Sequence, residues 1–136
     1  MWSFVGSKKN RAWIWLAMDL ESRRIVAAWI GGRELVDAHE FANRIPSYYF
    51  EKQACVDTDR LKAYEHIFPK SVHTAWDKGS GMTNLIERFN LTLRTRLARL
   101  NRKSLCFSKS MLHHKAFIFN FIHHYNDVIA PRLAVA

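Results

Sequence analysis

The residue that is best placed to take part in chemistry is a single carboxylate at the start of a long basic run. Glu87 is followed, from Arg88 to Asn126, by eight Lys or Arg residues and by no Asp or Glu. An isolated acid beside a cationic surface either caps a helix or holds a metal ion where a phosphate backbone binds. Glu87 stands three residues after Asn84, which is the spacing of a capping box, so spacing alone leaves both interpretations open.

Two further carboxylates follow a short apolar stretch. Asp57 and Asp59 come after the residues 54–56, and strand alternation places both on the same face. Ligand sites in open α/β sheets lie near the carboxyl ends of strands. The alternative is a structural role, in which Asp59 caps a helix that starts at Arg60 or Leu61.

The basic residues form a large cluster around Glu87 and a smaller one near the start of the chain. On a helix, Glu87 shares a face with Asn90 and Arg94, whereas a solvated helix normally interleaves opposite charges. Uncompensated positive charge favours a polyanionic partner. The positions that we expect to bind DNA are Lys8, Lys9, Arg11, Arg88, Asn90, Arg94, Arg96, Arg99, Arg102 and Lys103.

Composition narrows the class of protein. The 136 residues include 21 Lys or Arg against 12 Asp or Glu, for a net charge of +9, and 49% of them are hydrophobic. This is enough for one domain with a real core, and basic domains of this size most often bind nucleic acid. No apolar run approaches the ~20 residues that span a bilayer. Two isolated cysteines without CxxC spacing indicate no disulfide framework and a reduced, cytosolic compartment.

Hydrophobic periodicity predicts the elements that must position these residues. Apolar strand-like runs occupy 2–6, 12–18, 24–30, 52–59 and 71–76, while helical spacing occupies 35–45, 61–68, 86–100 and 111–129. Ser7–Asn10 has the composition of a polar turn, and Pro46, Pro69 and Pro131 are expected to end helices. The order predicts an α/β fold with one mixed sheet, which begins as a three-strand antiparallel meander and is followed by alternating helices and strands and then by C-terminal helices.

Several stretches match a known family. They are residues 2–8, Thr58-Asp59, the long block from Ile86 to Lys109, and residues 121–126. Together they resemble the insertion-sequence-one family of bacterial transposases, over essentially the whole chain. The block from Ile86 to Lys109 is the specific part, whereas the Thr-Asp pair alone would be weak.

The resemblance implies a ribonuclease H-like catalytic domain with an Asp-Asp-Glu metal site. Asp59 would be the second acid and Glu87 the third, and Mg²⁺ (or Mn²⁺) would serve metal-dependent DNA strand cleavage and transfer. The implied partners are the DNA of the transposon ends and target, with a homo-oligomer in the active complex and no membrane. The implied location is the bacterial cytoplasm, associated with the nucleoid when bound to DNA.

The chain departs from the family pattern at its start. The family's first catalytic Asp belongs to an Asp-Glu pair directly before the strand that here begins at Trp2, and Met1 occupies the preceding position. We therefore expect residues 1–136 to be a single catalytic domain that lacks the upstream DNA-binding region, the start of strand one and the first catalytic Asp. Asp19 lies in a turn and is not assigned that role.

Two other interpretations remain open on the sequence. In one, the domain is a non-catalytic DNA-binding remnant of a transposase, and Asp59 and Glu87 only cap helices. In the other, it is a ribonuclease H-like nuclease unrelated to transposition. Preference for transposon ends over arbitrary duplex DNA would separate such a nuclease from a transposase.

Overall fold

A computed structural model describes residues 1–134 as a mixed α/β domain, in agreement with the predicted class. The strands are β1 (Trp2–Val5), β2 (Ser7–Met18), β3 (Ile25–Gly31), β4 (Val56–Asp59) and β5 (His73–Trp76). The helices are α1 (Leu35–Ala42), α2 (Ser47–Glu51), α3 (Ala63–Ile67), α4 (Asn84–Arg96), α5 (Met111–His124) and α6 (Ala130–Ala134). A 3₁₀ turn (Ala98–Leu100) follows α4, and a π-helical turn (Tyr125–Ile129) joins α5 to α6.

The first three strands form the predicted antiparallel meander. Trp2 lies opposite Trp13, and Trp15 lies opposite Trp29. The predicted polar turn at 7–10 is wrong, because these residues already belong to β2 and the reversal occurs at Gly6, whose φ of 75° suits a residue without a side chain. The pairing register shifts after Phe4, which leaves the 8–10 segment of β2 without partners in β1.

The five strands form two sheets rather than the single mixed sheet that was expected. β4 and β5 pair in parallel as a separate two-stranded sheet, with Val56 opposite His73 and Asp59 opposite Trp76. The physical reason is the extent of β1, which lies beside β2 only as far as Trp13, with one further backbone-bonded pair between Met1 and Ile14. Within residues 1–134, no strand bridges β2 and β4.

The core lies on both faces of the meander because neighbouring β2 residues point in opposite directions. Ile14 faces α4 and α5, in a buried cluster with Phe89, Leu93 and Ile118. Trp15 belongs to a second cluster on the other side, with contributions from α1 and α3. The apolar stripe predicted along 86–100 is confirmed in its buried positions, although α4 ends at Arg96 and the 3₁₀ turn carries the rest of the stripe to the core.

Two helix boundaries differ from the prediction because of proline. α1 ends at Ala42, earlier than the predicted residue 45, and Pro46 precedes α2, which was not expected. Proline suits a helix start, where its missing N–H costs nothing. As a result, β4 begins at Val56 rather than at residue 52. Pro131 lies inside α6, and the wider π-helical turn before it avoids the clash that proline makes in a regular α-helix.

Candidate functional site

A cavity of about 690 Å³ lies between the end of β2, β4 and the start of α4. Five of the chain's acidic residues line it: Asp19, Glu21, Asp57, Asp59 and Glu87. No Lys, Arg or His occurs among the described residues that line this cavity. The cavity, called here the acidic cavity, therefore attracts cations, and both predicted catalytic carboxylates line it.

Asp59 occupies the last position of β4 and is exposed at the cavity. Its Oδ1 accepts a hydrogen bond from the backbone N–H of Leu61 at 3.1 Å, which makes a local turn. Helix α3 starts only at Ala63, with Lys62 at the N-cap position, so Asp59 does not cap that helix. Within residues 1–134, Oδ2 of Asp59 accepts no hydrogen bond, and this oxygen is available to a ligand.

Glu87 lies in the first turn of α4, where the N-cap residue is Thr83. The Thr83 hydroxyl donates to Oε1 of Glu87 at 2.8 Å, and the Glu87 N–H donates to the Thr83 carbonyl at 3.0 Å. The capping box that the Asn84 spacing suggested is therefore not formed. Oε2 of Glu87 accepts no hydrogen bond in the described part of the chain.

Two other acids of the cavity have structural partners. Oδ1 of Asp57 accepts a hydrogen bond from the indole N–H of Trp76 at 2.7 Å. Asp19 uses both oxygens: one accepts the backbone N–H groups of Glu21 and Ser22, and the other accepts the Tyr49 hydroxyl at 2.7 Å. The Tyr49 hydrogen bond is the main reason that the pKa of Asp19 lies below its ordinary value. Asp19 thus closes the β2–β3 turn.

The free oxygens of Asp59 and Glu87 fit a hard divalent cation. Mg²⁺ prefers oxygen ligands and is usually bound through one or two carboxylates with several retained waters. No group of three or more Asp, Glu, His or Cys side chains converges closely enough to form a full protein cage within residues 1–134. An ion bound at either carboxylate would therefore take most of its ligands from water or from other groups.

Two open strand edges border the acidic cavity. Met1 and Ile14 exchange both backbone hydrogen bonds, at 2.7 and 2.9 Å, so antiparallel alternation turns the N–H and C=O of Leu16 toward the same edge of β2. On the other side, the Val56 N–H donates to Val72 at 2.8 Å, and alternation turns the backbone groups of Asp57 away from β5. Both Leu16 and Asp57 line the cavity.

Two guanidinium groups lie over the indole ring of Trp2, and a third, that of Arg94, lies close enough to act on one of them. The Arg102 guanidinium lies 3.8 Å from the ring centroid and donates to the Trp2 carbonyl at 3.3 Å. The Arg11 guanidinium lies 4.8 Å from the same centroid. Burial lowers the pKa of Arg102, and the charges of Arg94 and Arg11 lower it further. The three ion pairs within residues 1–134 involve none of these arginines. This group is called the Trp2 cluster.

Polar atoms that are buried without partners occur both in the Trp2 cluster and at the acidic cavity. They are Nε of Arg94 and Nε of Arg102 in the Trp2 cluster, and Oδ1 of Asn90, which lines the acidic cavity. The α-amino group of Met1 lies between this cluster and the acidic cavity: burial and the charge of Arg94 lower its pKa to about 6, while the charge of Asp59 opposes that shift. The positive and negative halves of the site are therefore adjacent.

Comparison with known proteins identifies the family of this chain. Residues 1–126 match a protein-family model described as IS1 transposase. The chain belongs to the IS1 transposase family. The predicted resemblance is thereby confirmed, over nearly the whole chain.

Individual relatives agree with the family assignment. The insertion element iso-IS1n protein InsB of Shigella dysenteriae is 36% identical over 121 residues, which cover 89% of this chain and 88% of the relative. The insertion element IS1 protein InsB of Shigella flexneri is 35% identical over the same shares of both chains. The insertion element IS1 4 protein InsB of Escherichia coli K12 is 32% identical and is covered to 69% of its length. No solved structure matches the chain significantly.

The remaining sequence-predicted positions of this IS1-family chain lie elsewhere. Lys8, Lys9, Arg88 and Lys103 are exposed and belong to neither the acidic cavity nor the Trp2 cluster. Arg96 and Arg99 line a second groove at the far end of α4. The large basic cluster that the sequence suggested around Glu87 is thus divided among the Trp2 cluster, the second groove and exposed positions. Within residues 1–134, no helix is long and apolar enough to cross a membrane.

Sequence reasoning missed a buried polar link behind the Trp2 cluster. His114 is 1% exposed, its Nε2 lies 2.8 Å from the Ser3 hydroxyl, and its Nδ1 lies 2.7 Å from the Ser108 hydroxyl. The Ser3 hydroxyl also donates to the Ala12 carbonyl, which assigns the ring proton to Nε2 and leaves Nδ1 to accept from Ser108. Adjacent His pairs gave no signal for this role, because their two members point in different directions.

Proposed function

We propose that this IS1-family chain is a DNA transposase catalytic domain that carries out metal-dependent DNA strand cleavage and transfer through Asp59 and Glu87. The observation that supports the proposal best is the adjacency of two opposite surfaces. The acidic cavity presents a free oxygen from each of these carboxylates. The arginines of the Trp2 cluster lie next to this cavity and have no acidic partners within residues 1–134.

The proposed roles follow from the chemistry of these groups. Mg²⁺ (or Mn²⁺), when bound by Asp59 and Glu87, would activate an attacking oxygen and stabilise the leaving oxygen at a DNA phosphate. Arg11, Arg94 and Arg102 would bind neighbouring phosphates, for which guanidinium groups offer a planar set of donors. Arg94 and Arg102 are half-buried, which strengthens such contacts because less water screens them, whereas Arg11 is exposed.

Exposed basic residues would complete the DNA-binding surface. Lys8, Lys9, Arg88 and Lys103 are solvent-exposed cations that neutralise phosphates and steer DNA toward the site. The proposed partners are the DNA of transposon ends and target, and the active complex would be a homo-oligomer because two ends must be joined. The proposed location is the bacterial cytoplasm, with association to the nucleoid through DNA.

We also propose that Asp59 and Glu87 act together with a third carboxylate, since no group of three metal-ligating side chains converges within residues 1–134. The family pattern has an additional Asp in the segment before the Trp2 strand. The open edges of β2 at Leu16 and of β4 at Asp57 are consistent with an extended segment between them, which would bring a third acid to the acidic cavity. Asp19 is not a substitute, since both its oxygens hold the β2–β3 turn and Tyr49.

Strand cleavage of matching terminal inverted repeats in the presence of Mg²⁺ tests this function. A chain extended upstream with the family's Asp-Glu pair should cleave much faster than residues 1–136. In the extended chain, Asp59→Asn and Glu87→Gln should each abolish cleavage, while Glu65→Gln, an exposed acid outside the cavity, should leave it intact. Equal cleavage by the short and extended chains would contradict the proposal of a third carboxylate.

A non-catalytic DNA-binding remnant is the second candidate function. It is favoured by the structural hydrogen bonds that Asp59 makes to Leu61 and Glu87 makes to Thr83, each of which stabilises a local turn or helix start. On this account, Glu87→Gln would leave DNA binding and every activity of the extended chain unchanged. Its only effect would be a helix-start cost of roughly 0.5–2 kcal/mol.

A further inference from the structure

A second groove, of about 590 Å³, lies where the end of α4 meets the 101–110 connection and the start of α5. Its chemistry is the reverse of that of the acidic cavity. The residues that carry its character are Arg96, Arg99, Lys109, His113, Phe107 and Phe117. No Asp or Glu occurs among the described residues that line it. It is called here the basic groove.

The three permanently charged residues of the basic groove have no acidic partners within residues 1–134. They are Arg96, Arg99 and Lys109. The ion pairs found within residues 1–134 join Arg24 to Asp127, Arg44 to Glu40 and Arg60 to Asp77, all away from this groove. Like charges held in one concave surface repel each other unless an anion lies among them. The charge of the basic groove therefore points to a polyanionic ligand.

The groove also has an exposed aromatic ring beside one of these charges. Phe117 is 46% exposed, and the Arg99 guanidinium lies 4.1 Å from its ring centroid. A stacked guanidinium and ring form a flat, cationic platform. Phe107 also lines the groove and is half-buried, held against Phe4 with ring centroids 5.5 Å apart. An exposed platform of this kind binds flat, electron-rich rings such as nucleobases.

We propose that the basic groove binds a single-stranded segment of DNA. Its phosphates would contact Arg96 and Lys109, and one base would stack on the Arg99–Phe117 platform. Single-stranded nucleic acid is the ligand that combines a negatively charged backbone with free base faces, and proteins bind it with basic grooves that contain aromatic residues. In duplex DNA the base faces are already stacked, so a duplex could use the charges of the groove but not its ring.

This inference deepens the proposed function, because it names an unpaired strand as the ligand of a surface separate from Asp59 and Glu87. Cleavage and transfer leave a strand end next to the catalytic site, and a second groove on the same helix could retain it. The two proposals fail separately. Loss of cleavage in Glu87→Gln with unchanged single-strand binding concerns only the acidic cavity, and loss of single-strand binding in a groove variant concerns only the groove.

Fluorescence anisotropy with a labelled single-stranded oligonucleotide, and with a duplex of the same sequence, tests the proposal on the full chain. Phe117→Ala should weaken single-strand binding by about tenfold, within the range for loss of one stacked base, and should change duplex binding little. Phe117→Tyr should restore binding. Leu112→Ala is the matched control, since it lies on the same helix, is 75% exposed and does not line the groove.

The charged residues provide an independent readout. Arg96→Gln and Lys109→Gln should each reduce the slope of log affinity against log salt by about 0.7 for the single strand. Circular dichroism verifies that each variant is folded, and all of these side chains are at least partly exposed. Equal single-strand affinity in Phe117→Ala and Leu112→Ala, or a loss that is the same for duplex and single strand, would overturn the assignment.

Discussion

The guanidinium of Arg102 lies 3.8 Å from the centre of the Trp2 indole ring and also donates to the Trp2 carbonyl. This contact joins the connection after α4 to the first strand of the sheet. It holds Arg102 beside Arg94 and Arg11 at the border of the acidic cavity, although nothing in the described residues compensates the three charges. A DNA phosphate would relieve that repulsion.

Replacing Arg102 should therefore weaken duplex DNA binding in a salt-dependent way. Arg102→Gln removes one cation that is positioned by its aromatic partner, and the slope of log affinity against log salt should fall by about 0.9. Anisotropy titrations over a range of NaCl concentrations measure this slope. Arg132→Gln is the control, because Arg132 is exposed on α6. An unchanged slope in Arg102→Gln would exclude a phosphate contact at this position.

The buried ring of His114 should make stability depend on pH. Burial, followed by the charge of Arg99, lowers the pKa of His114 below its ordinary value, so the folded protein holds the ring neutral between Ser3 and Ser108. The unfolded chain binds a proton more readily, with a pKa of about 6.5. The stabilisation is complete above that value and is lost as pH falls from there through the lower pKa of the folded state.

Urea unfolding between pH 8 and pH 5 measures that loss. The free energy of unfolding of the unmodified chain should fall as pH decreases below about 6.5. His114→Gln should be less stable at pH 8 and should show a flatter pH dependence, whereas His113→Gln, at an exposed neighbour, should follow the unmodified chain. A His114→Gln profile parallel to that of the unmodified chain would show that another group is responsible.

The side-chain amide of Asn126 forms both hydrogen bonds that a neighbouring strand would otherwise make with the backbone of Ile25. Its Oδ1 accepts from the Ile25 N–H at 2.8 Å, and its Nδ2 donates to the Ile25 carbonyl at 2.9 Å. Asn126→Ala leaves both buried backbone groups without partners and should lower the free energy of unfolding by about 2 kcal/mol. Asn120→Ala, at an exposed position of α5, should change it by less than about 0.5 kcal/mol. Similar losses in both variants would contradict this role.

The elements that could be predicted from the sequence are those with a strong local pattern. Residues 12–18 form a continuous apolar run of strand length, and the stripe that contains Phe89 and Leu93 has the periodicity of an amphipathic helix. Phe89 and Leu93 are both buried. The predicted boundaries were wrong where a residue type is compatible with two kinds of local structure. Pro46 ends one helical pattern and starts α2, and Ser7 belongs to a polar strand end that has the composition of a turn.

The candidate site was predictable only in part. Asp59 and Glu87 could be selected because they are acids in a recognisable motif, and both line the acidic cavity. Sequence spacing could not divide the arginines between the Trp2 cluster and the basic groove. That division depends on how the 101–110 connection folds back between β1 and α5, where Val5 and Ser108 make a single bridge. Contacts of this kind join residues far apart in the chain and leave no periodic signal.

Calorimetric titration of the chain with Mn²⁺ tests the central claim most directly, because it does not require a complete catalytic site. If Asp59 and Glu87 hold one divalent ion together, Asp59→Asn and Glu87→Gln should each remove most of the binding heat, and the double variant should lose little more than either single variant. Glu65→Gln should bind Mn²⁺ like the unmodified chain. Unchanged Mn²⁺ binding in Asp59→Asn and Glu87→Gln would contradict the account.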